Sequence, residues 1–328
     1  SKSYTIYWIS RLVLESLFFA VLIHFYNCMF KERLGVCMLI GALEAGGTKM
    51  VLAIGNENGE ILEQISIPTE TPEITVPKII DYFKNKNIKA LGIGSFGPVD
   101  LNRNSKTYGY ITSTPKLAWS NYDLVGNIKK ELNVPMGFDT DVNGSALGEA
   151  TWGSLKGLES GIYITVGTGV GVGVYMNGAL LHGMLHPEAG HILLSKHPED
   201  SFEGVCPYHP NCMEGLASGP AIEKRWNKKA TLLSDNDKVW ELEAFYLAQG
   251  IANYILCLSP HRIVLGGGVM HQEQLFPLIR SQVVKLLKGY VVTPELKDID
   301  SYIVPAALNG DQGIMGCIKL GLLELEAV

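Results

Sequence analysis

Apolar residues from Leu39 onward fall into short runs that are separated by turns, and this pattern predicts strands alternating with helices. The runs 39–45 and 49–55 predict two strands joined by a glycine turn, and 61–67 predicts a third strand after the turn Asn58-Gly59. Apolar positions at helical spacing predict a helix over 72–86, and 90–94 returns as a strand. This alternation is typical of an α/β architecture.

The second half of the chain repeats the order strand, glycine-rich turn, strand, which suggests a duplicated α/β domain around a cleft. The further predicted strands are 135–138, 161–165, 261–265 and 303–304. The further predicted helices are 123–132, 220–229, 237–258, 272–287 and 312–323.

The first 37 residues differ from the rest, because the stretch from Tyr4 to Phe30 is nearly all apolar. Its length could span a bilayer, but Arg11, Glu15 and His24 interrupt it, and no signal-peptidase pattern follows. We interpret residues 1–37 as upstream sequence ahead of a true start at Met38. A membrane anchor and a packed accessory helix are the alternatives.

Composition and charge narrow the classes of protein. The chain has 328 residues, is 47% hydrophobic and 18% charged, and carries a formal net charge of −6. A negative charge without a Lys/Arg stripe argues against nucleic-acid binding. The cysteines form no disulfide framework, which is typical of a reducing compartment and predicts a cytoplasmic protein.

Four residues with metal-binding side chains lie close together in the chain: His191, Cys206, His209 and Cys212. Two thiolates and two imidazoles suit a tetrahedral Zn²⁺, and four protein ligands close the shell, as in a structural site. A disulfide between Cys206 and Cys212 is the alternative. Glu214 directly follows this set, so the metal would determine where its carboxylate points.

Three glycine-rich turns stand at predicted strand ends, and turns of this kind favour phosphate because their backbone amides can be approached closely. None matches the P-loop or the dinucleotide-binding pattern, and each alone is compatible with ordinary turn chemistry. The turns are Gly46-Gly47-Thr48-Lys49, Gly167-Thr168-Gly169 and Gly266-Gly267-Gly268.

Phosphoryl transfer to an alcohol needs a carboxylate that accepts the hydroxyl proton, and Asp141 at a predicted strand end is our candidate. Asp139 is its rival, and helix capping is the alternative role for Asp141 and Asn143. Asn143, Glu188 and Glu214 could each hold a sugar hydroxyl.

Three ring side chains near these residues need no role in sugar binding. We expect the loop histidines His182 and His186 to be solvent-exposed, and Trp119 to lie in a core or hinge.

From Leu39 to about Gly321 these motifs resemble the ROK family of bacterial sugar kinases, and its zinc-containing fructokinases in particular. Glu44-Ala-Gly-Gly-Thr-Lys49 looks like the family's first phosphate loop, and 164–173 with Gly190-His191 is similar to its long signature. Val264-Leu-Gly-Gly-Gly-Val269 looks like the adenosine-side loop, and Asp141-Val-Asn143 occupies the place of the catalytic Asp-x-Asn.

The resemblance implies two actin-like, ribonuclease-H-like domains with five-stranded mixed sheets, one of 38–150 plus 310–328 and one of 151–309, with the zinc loop at 191–212. It implies MgATP-dependent phosphorylation of fructose at the 6-hydroxyl, with Asp141 as general base, and a homodimer. Asn143, Glu188, His191 and Glu214 would contact the sugar, and His191 would also ligate zinc.

Other functions within the family stay open. A glucose, mannose or N-acetylmannosamine kinase is the first alternative, although Thr114-Pro115-Lys116 departs from the Thr-Pro-Asn of many family glucokinases. A non-catalytic sugar-sensing regulator is the second, but residues 1–37 show no helix-turn-helix pattern. His209 also stands where many members have a third cysteine.

Overall fold

Two five-stranded sheets organise residues 38–327, the part of the chain that this computed structural model describes. The prediction for residues 1–37 therefore falls outside the described residues. The strands of the first sheet are β1 Ile40–Ala45, β2 Lys49–Gly55, β3 Ile61–Pro68, β4 Ala90–Ser95 and β7 Met136–Thr140. Those of the second are β8 Gly161–Val166, β9 Val170–Met176, β10 Ala179–Leu180, β11 Ile263–Gly266 and β12 Ile303–Pro305.

The two sheets share one topology, with strand orders β3-β2-β1-β4-β7 and β10-β9-β8-β11-β12. In each sheet, one strand of an antiparallel hairpin also has a parallel neighbour. Strand β1 pairs antiparallel with β2 and parallel with β4. Strand β8 likewise pairs antiparallel with β9 and parallel with β11. Nearly all residues of the central strands β1, β4, β8 and β11 are buried. The predicted duplication of an α/β unit is confirmed at the level of topology.

The helices begin and end close to the predicted residues. They are α1 Pro72–Phe83, α2 Leu124–Glu131, α3 Asp141–Trp152, α4 Met213–Ala217, α5 Gly219–Trp226, α6 Asp237–Leu258, α7 Leu275–Leu287, α8 Pro294–Lys297, α9 Ile299–Tyr302 and α10 Gln312–Glu326. The short helices α4, α8 and α9 and the two-residue strands β5 Tyr110–Ile111, β6 Tyr122–Asp123 and β10 were not predicted, because elements this short carry too little periodicity.

The C-terminal helix α10 returns to the first sheet and crosses α3 closely. A Cβ atom on Gly92 would collide with the Cys317 carbonyl, and one on Gly316 would collide with the Gly144 carbonyl. Glycine is therefore required at both crossings, since any side chain would push the helix away. Contacts between residues group Leu39–Val328 into a single compact unit, so the predicted domain boundaries stay a prediction.

Two further expectations can be compared with the fold. Trp119 is buried in the core of the first half, as predicted, with its indole N–H donating to the Glu70 carbonyl at 2.8 Å. Within residues 38–327, no helix combines the length and the apolar character needed to cross a bilayer.

Candidate active site

A pocket of about 320 Å³ opens between the turn from β8 to β9, the first residues of α3 and the segment 186–191. Its wall contains both glycine amides and carboxylates, which is the combination that a phosphate donor and a hydroxylated acceptor need. Seven of the predicted site residues line it: Asp141, Gly167, Thr168, Gly169, Glu188, His191 and Glu214.

Asp141 is the first residue of α3 and faces this pocket. The helix cap is Thr140, whose hydroxyl accepts a hydrogen bond from the Asn143 amide at 3.1 Å, so the capping role does not belong to Asp141. Burial raises the pKa of Asp141 to about 6, while its hydrogen bond from the Val142 amide acts in the opposite direction. A carboxylate with this pKa can take up a proton near neutral pH.

Asp139 lies at the end of β7, is only 2% exposed, and has protein partners at both carboxylate oxygens. Its Oδ1 accepts from the Thr140 amide at 2.8 Å and from the Asn143 side-chain amide at 2.7 Å. Its Oδ2 lies 2.7 Å from His182 Nε2. Because the helix starts between the two aspartates, they do not share a face, and Asp139 does not line the pocket.

Asn143 is buried behind the pocket wall rather than in it. Its Nδ2 donates to Asp139, while its Oδ1 has no hydrogen-bond partner among the residues that the structure describes. A buried carbonyl oxygen without a partner is costly, so this atom is an unsatisfied acceptor next to the pocket wall. Its predicted contact with the sugar stays a prediction.

Glu188, in the segment 186–191, and Glu214, in helix α4, both face the pocket. Burial raises the pKa of Glu188 to about 7, and the charges of Glu214 and Asp141 add to this effect. Glu214 Oε2 accepts a hydrogen bond from the Val170 amide at 3.1 Å. The pocket therefore concentrates three carboxyl groups, as recognition of several sugar hydroxyls would require.

Of the two loop histidines, His182 is solvent-exposed as expected, and His186 is buried, contrary to the expectation. His186 is only 4% exposed, and its Nε2 accepts a hydrogen bond from the Val99 amide at 3.1 Å. The side chain of His182 is 41% exposed but is held by Asp139, which raises the pKa of His182. Sequence reasoning missed both contacts, because their partners lie far away in the chain.

The second and third glycine turns lie side by side. A Cβ atom on Gly167 would be 3.9 Å from the Gly268 amide nitrogen. Gly267 has φ +89°, and a Cβ atom there would collide with the Val166 backbone, so only glycine suits this position. The structure thus brings two of the three predicted phosphate turns to one edge of the second sheet.

The first turn, Gly46 to Lys49, is a tight connection in which the Gly46 amide donates to the Lys49 carbonyl at 3.1 Å. It does not line the pocket, but its neighbour Glu44 interacts with Asp141. Burial raises the pKa of Glu44 to about 7, Asp141 adds to this, and Lys49 opposes it. The turn is therefore linked to the pocket through this pair of carboxyl groups.

The four predicted metal ligands converge. One ligand atom from each of His191, Cys206, His209 and Cys212 lies within 4.8 Å of all the others. His191 Nδ1 is 3.8 Å from Cys206 Sγ and 3.6 Å from Cys212 Sγ. A tetrahedral zinc site with ordinary bond lengths separates sulfur and nitrogen ligands by about 3.5 Å. The donor set and its spacing fit zinc.

The disulfide alternative is wrong, because Cys206 and Cys212 are both free thiols. Cys212 Sγ also accepts a hydrogen bond from the Gly215 amide at 3.3 Å and so caps helix α4. This cap leads the chain from the cluster directly to Glu214.

Comparison with known proteins places these features in a family. Residues 40–322 match the ROK family. The chain belongs to the ROK family. A Bacillus subtilis relative is 51% identical over 290 residues, which cover 88% of this chain and 97% of that protein. The fructokinase of Pediococcus pentosaceus is 45% identical over 289 residues, covering 88% of this chain and 99% of the relative.

Solved structures share the fold of this chain. The ROK hexokinase of Thermus thermophilus has a TM-score of 0.71 at 24% identity and is covered completely, with 89% of this chain aligned. A ROK glucokinase from Streptomyces griseus, solved with glucose and AMPPNP, has a TM-score of 0.69 at 23% identity; 87% of this chain and 99% of that one are covered. The ROK chain described here therefore has the predicted actin-like, two-sheet fold.

Proposed function

We propose that this ROK protein is a fructokinase, which transfers the γ-phosphoryl group of ATP to the 6-hydroxyl of fructose. Relatives that are named fructokinases are 42–45% identical over at least 84% of the chain. Relatives that are named glucokinases are only 25–27% identical. This difference favours fructose over glucose as the acceptor.

The observation that carries the proposal is Asp141, a pocket carboxylate at the first residue of a helix, with its pKa raised to about 6 by burial. Asp141 takes the proton of the sugar hydroxyl as the hydroxyl oxygen forms its bond to the γ-phosphorus. The bond from that phosphorus to the bridging oxygen breaks, and ADP leaves with the bond's electron pair. Asp141 then releases its proton to water.

The nucleotide would lie along the glycine turns, with its phosphates on the amides of Gly167 to Gly169 and of Gly46 and Gly47. Thr48, Lys49 and Thr168 add hydroxyl groups and a cation beside those amides. Gly266 to Gly268 would face the adenosine side. When bound, Mg²⁺ would neutralise the phosphate charge, and the carboxyl group of Glu44 is an oxygen donor of the kind that it prefers.

The sugar would be held by polar side chains on the other wall of the pocket. Glu188 and Glu214 accept hydrogen bonds from hydroxyls, and the His191 imidazole lies beside them. Asn143 would contribute Oδ1, since its Nδ2 is already bound to Asp139. Such a polar site rejects sugars that lack a matching hydroxyl.

Zinc would be bound by His191, Cys206, His209 and Cys212 and would have a structural role. With four protein ligands the ion has no free position for water, so it would hold the loop 191–212 in place. We also retain the predictions that the protein is cytoplasmic and forms a homodimer. Light scattering on the purified chain tests the second of these.

The test is a coupled assay of ADP release from MgATP, with fructose, glucose, mannose and N-acetylmannosamine as acceptors and the chain from Met38 as enzyme. We expect fructose to give the highest kcat/KM. Equal or better turnover with another hexose would reassign the substrate within the family. Sugar binding without ADP release from any acceptor would instead indicate a sugar sensor.

A further inference from the structure

The segment 182–188 extends from the second half of the chain and is fastened to the first half by two histidines. His182 contacts Asp139 at the end of β7, and His186 contacts Val99, which follows β4. His186 is the more deeply buried of the two, at 4% exposure. It also stands two residues before Glu188, a pocket carboxylate that the proposed function assigns to the sugar.

The hydrogen bond from Val99 determines which ring nitrogen of His186 carries the proton. Nε2 accepts the Val99 N–H at 3.1 Å, so this nitrogen has no hydrogen of its own. The neutral imidazole therefore has its N–H at Nδ1. Burial also lowers the pKa of His186, which favours this neutral form, although Asp139 and the Pro187 backbone act in the opposite direction.

Nδ1, which carries the proton, lies 3.5 Å from Oε1 of the Glu188 carboxylate. This separation is longer than a good hydrogen bond, and contacts of this kind shorten when a substrate is bound. The site is closely packed on its other side, since a Cβ atom on Gly97 would be 3.4 Å from both Glu188 Oε1 and His186 Cε1. The backbone of Gly97 therefore lies next to both Glu188 and His186.

We propose that His186 is a positioning residue for the sugar site: it is anchored by the Val99 amide and aims Glu188 at the bound sugar. The inference rests on the proposed function, because it deepens the role of Glu188 in binding fructose. The inference also gives the backbone amide of Val99, after β4, a part in the sugar site, although the Val99 side chain does not line the pocket.

The two isosteric variants of His186 separate the contacts. In His186→Gln the amide group replaces Nε2, so the acceptor for Val99 is kept and the donor to Glu188 is lost. In His186→Asn the amide replaces Nδ1, so the donor is kept and the anchor is lost. His261→Gln serves as a control, because this exposed histidine precedes β11 at the opposite end from Gly266.

We expect His186→Gln to raise the KM for fructose about tenfold, the effect of losing one hydrogen bond to a charged group, with the KM for MgATP and the melting temperature nearly unchanged. His186→Asn should lower the melting temperature as well, and the His261→Gln control should behave like the wild type. If His186 had only a structural role, His186→Asn alone would be affected. In that variant the KM for fructose and the KM for MgATP would then change together.

Nitrogen NMR on histidine-labelled wild-type protein tests the geometry without any assay of activity. The resonances that disappear in His186→Gln should show a protonated Nδ1 and an unprotonated Nε2 at neutral pH. The opposite tautomer, or an unchanged KM for fructose in His186→Gln, would overturn the inference. Absence of phosphoryl transfer in the wild type would overturn the proposed function instead, so the two failures are distinguishable.

Discussion

The carboxylate of Glu214 accepts a hydrogen bond from the backbone amide of Val170 at 3.1 Å. Glu214 stands two residues after Cys212, and Val170 directly follows the second glycine turn. The other oxygen, Oε1, lies 3.8 Å from His191 Nε2. Glu214 and Val170 therefore connect the predicted metal cluster to the turn that we assign to phosphate. We expect loss of the metal to weaken sugar binding.

Cys206→Ser removes one of the four metal ligands, and we expect it to release zinc and raise the KM for fructose at least tenfold. The physical reason is that helix α4 and Glu214 lose the cross-link that holds them against β9. Zinc content by mass spectrometry and steady-state kinetics measure the two effects. Cys257→Ser changes an exposed cysteine and is the control. Stoichiometric zinc in Cys206→Ser would mean that the ligand set is wrong.

Asp141→Asn should reduce kcat by about three orders of magnitude, because the amide cannot accept the hydroxyl proton. Fructose and nucleotide binding should persist, which calorimetry can measure. Asp139→Asn is the matched comparison, since that carboxylate is buried and occupied by protein donors. It should lose only about tenfold in kcat through misplacement of the helix start. If the two variants lose activity equally, Asp141 is not distinguished as the base.

Glu44→Gln should change how stability depends on pH. Burial raises the pKa of Glu44 from 4.5 to about 7, so its favourable contribution is complete below pH 4.5 and is lost as the pH rises through about 7. Glutamine does not ionise, so the variant does not lose stability in this pH range. We expect it to be more stable than the wild type by about 3 kcal/mol near pH 8 and equally stable near pH 4.

Chemical denaturation of the nucleotide-free protein at the two pH values measures this difference. Glu241→Gln, at an exposed position of α6, is the control and should follow the wild type at both. A glutamine variant of Glu44 that is destabilised near pH 8 would show that its ionised form is favoured in the folded protein.

Gly268→Ala tests the assignment of the third turn to the nucleotide. A Cβ atom at this position meets no protein atom within 4 Å among the described residues, so the melting temperature should not change. If the nucleotide packs against this backbone, the methyl group collides with it, and the KM for MgATP should rise about tenfold while the KM for fructose stays constant. An unchanged KM for MgATP would place the nucleotide elsewhere.

Local sequence patterns predicted most of the strands and helices, because apolar runs and helical spacing depend on neighbouring residues only. The metal ligands were also predictable, since their residue types are unusual and close together. The choice between Asp139 and Asp141 was harder. It depends on Thr140, which caps α3 and turns the chain so that one carboxylate is buried and the other faces the pocket.

The sequence by itself determined the α/β alternation, the three glycine turns, the cluster of two cysteines and two histidines that could hold a metal, and the resemblance to ROK sugar kinases. Only the tertiary structure decided which turns lie together, that Asn143 sits behind the pocket, and that His186 is bonded to Val99, 87 residues away in the chain. The reason is physical: each of these contacts joins segments that are far apart in the chain, and no local pattern records which distant surfaces will meet.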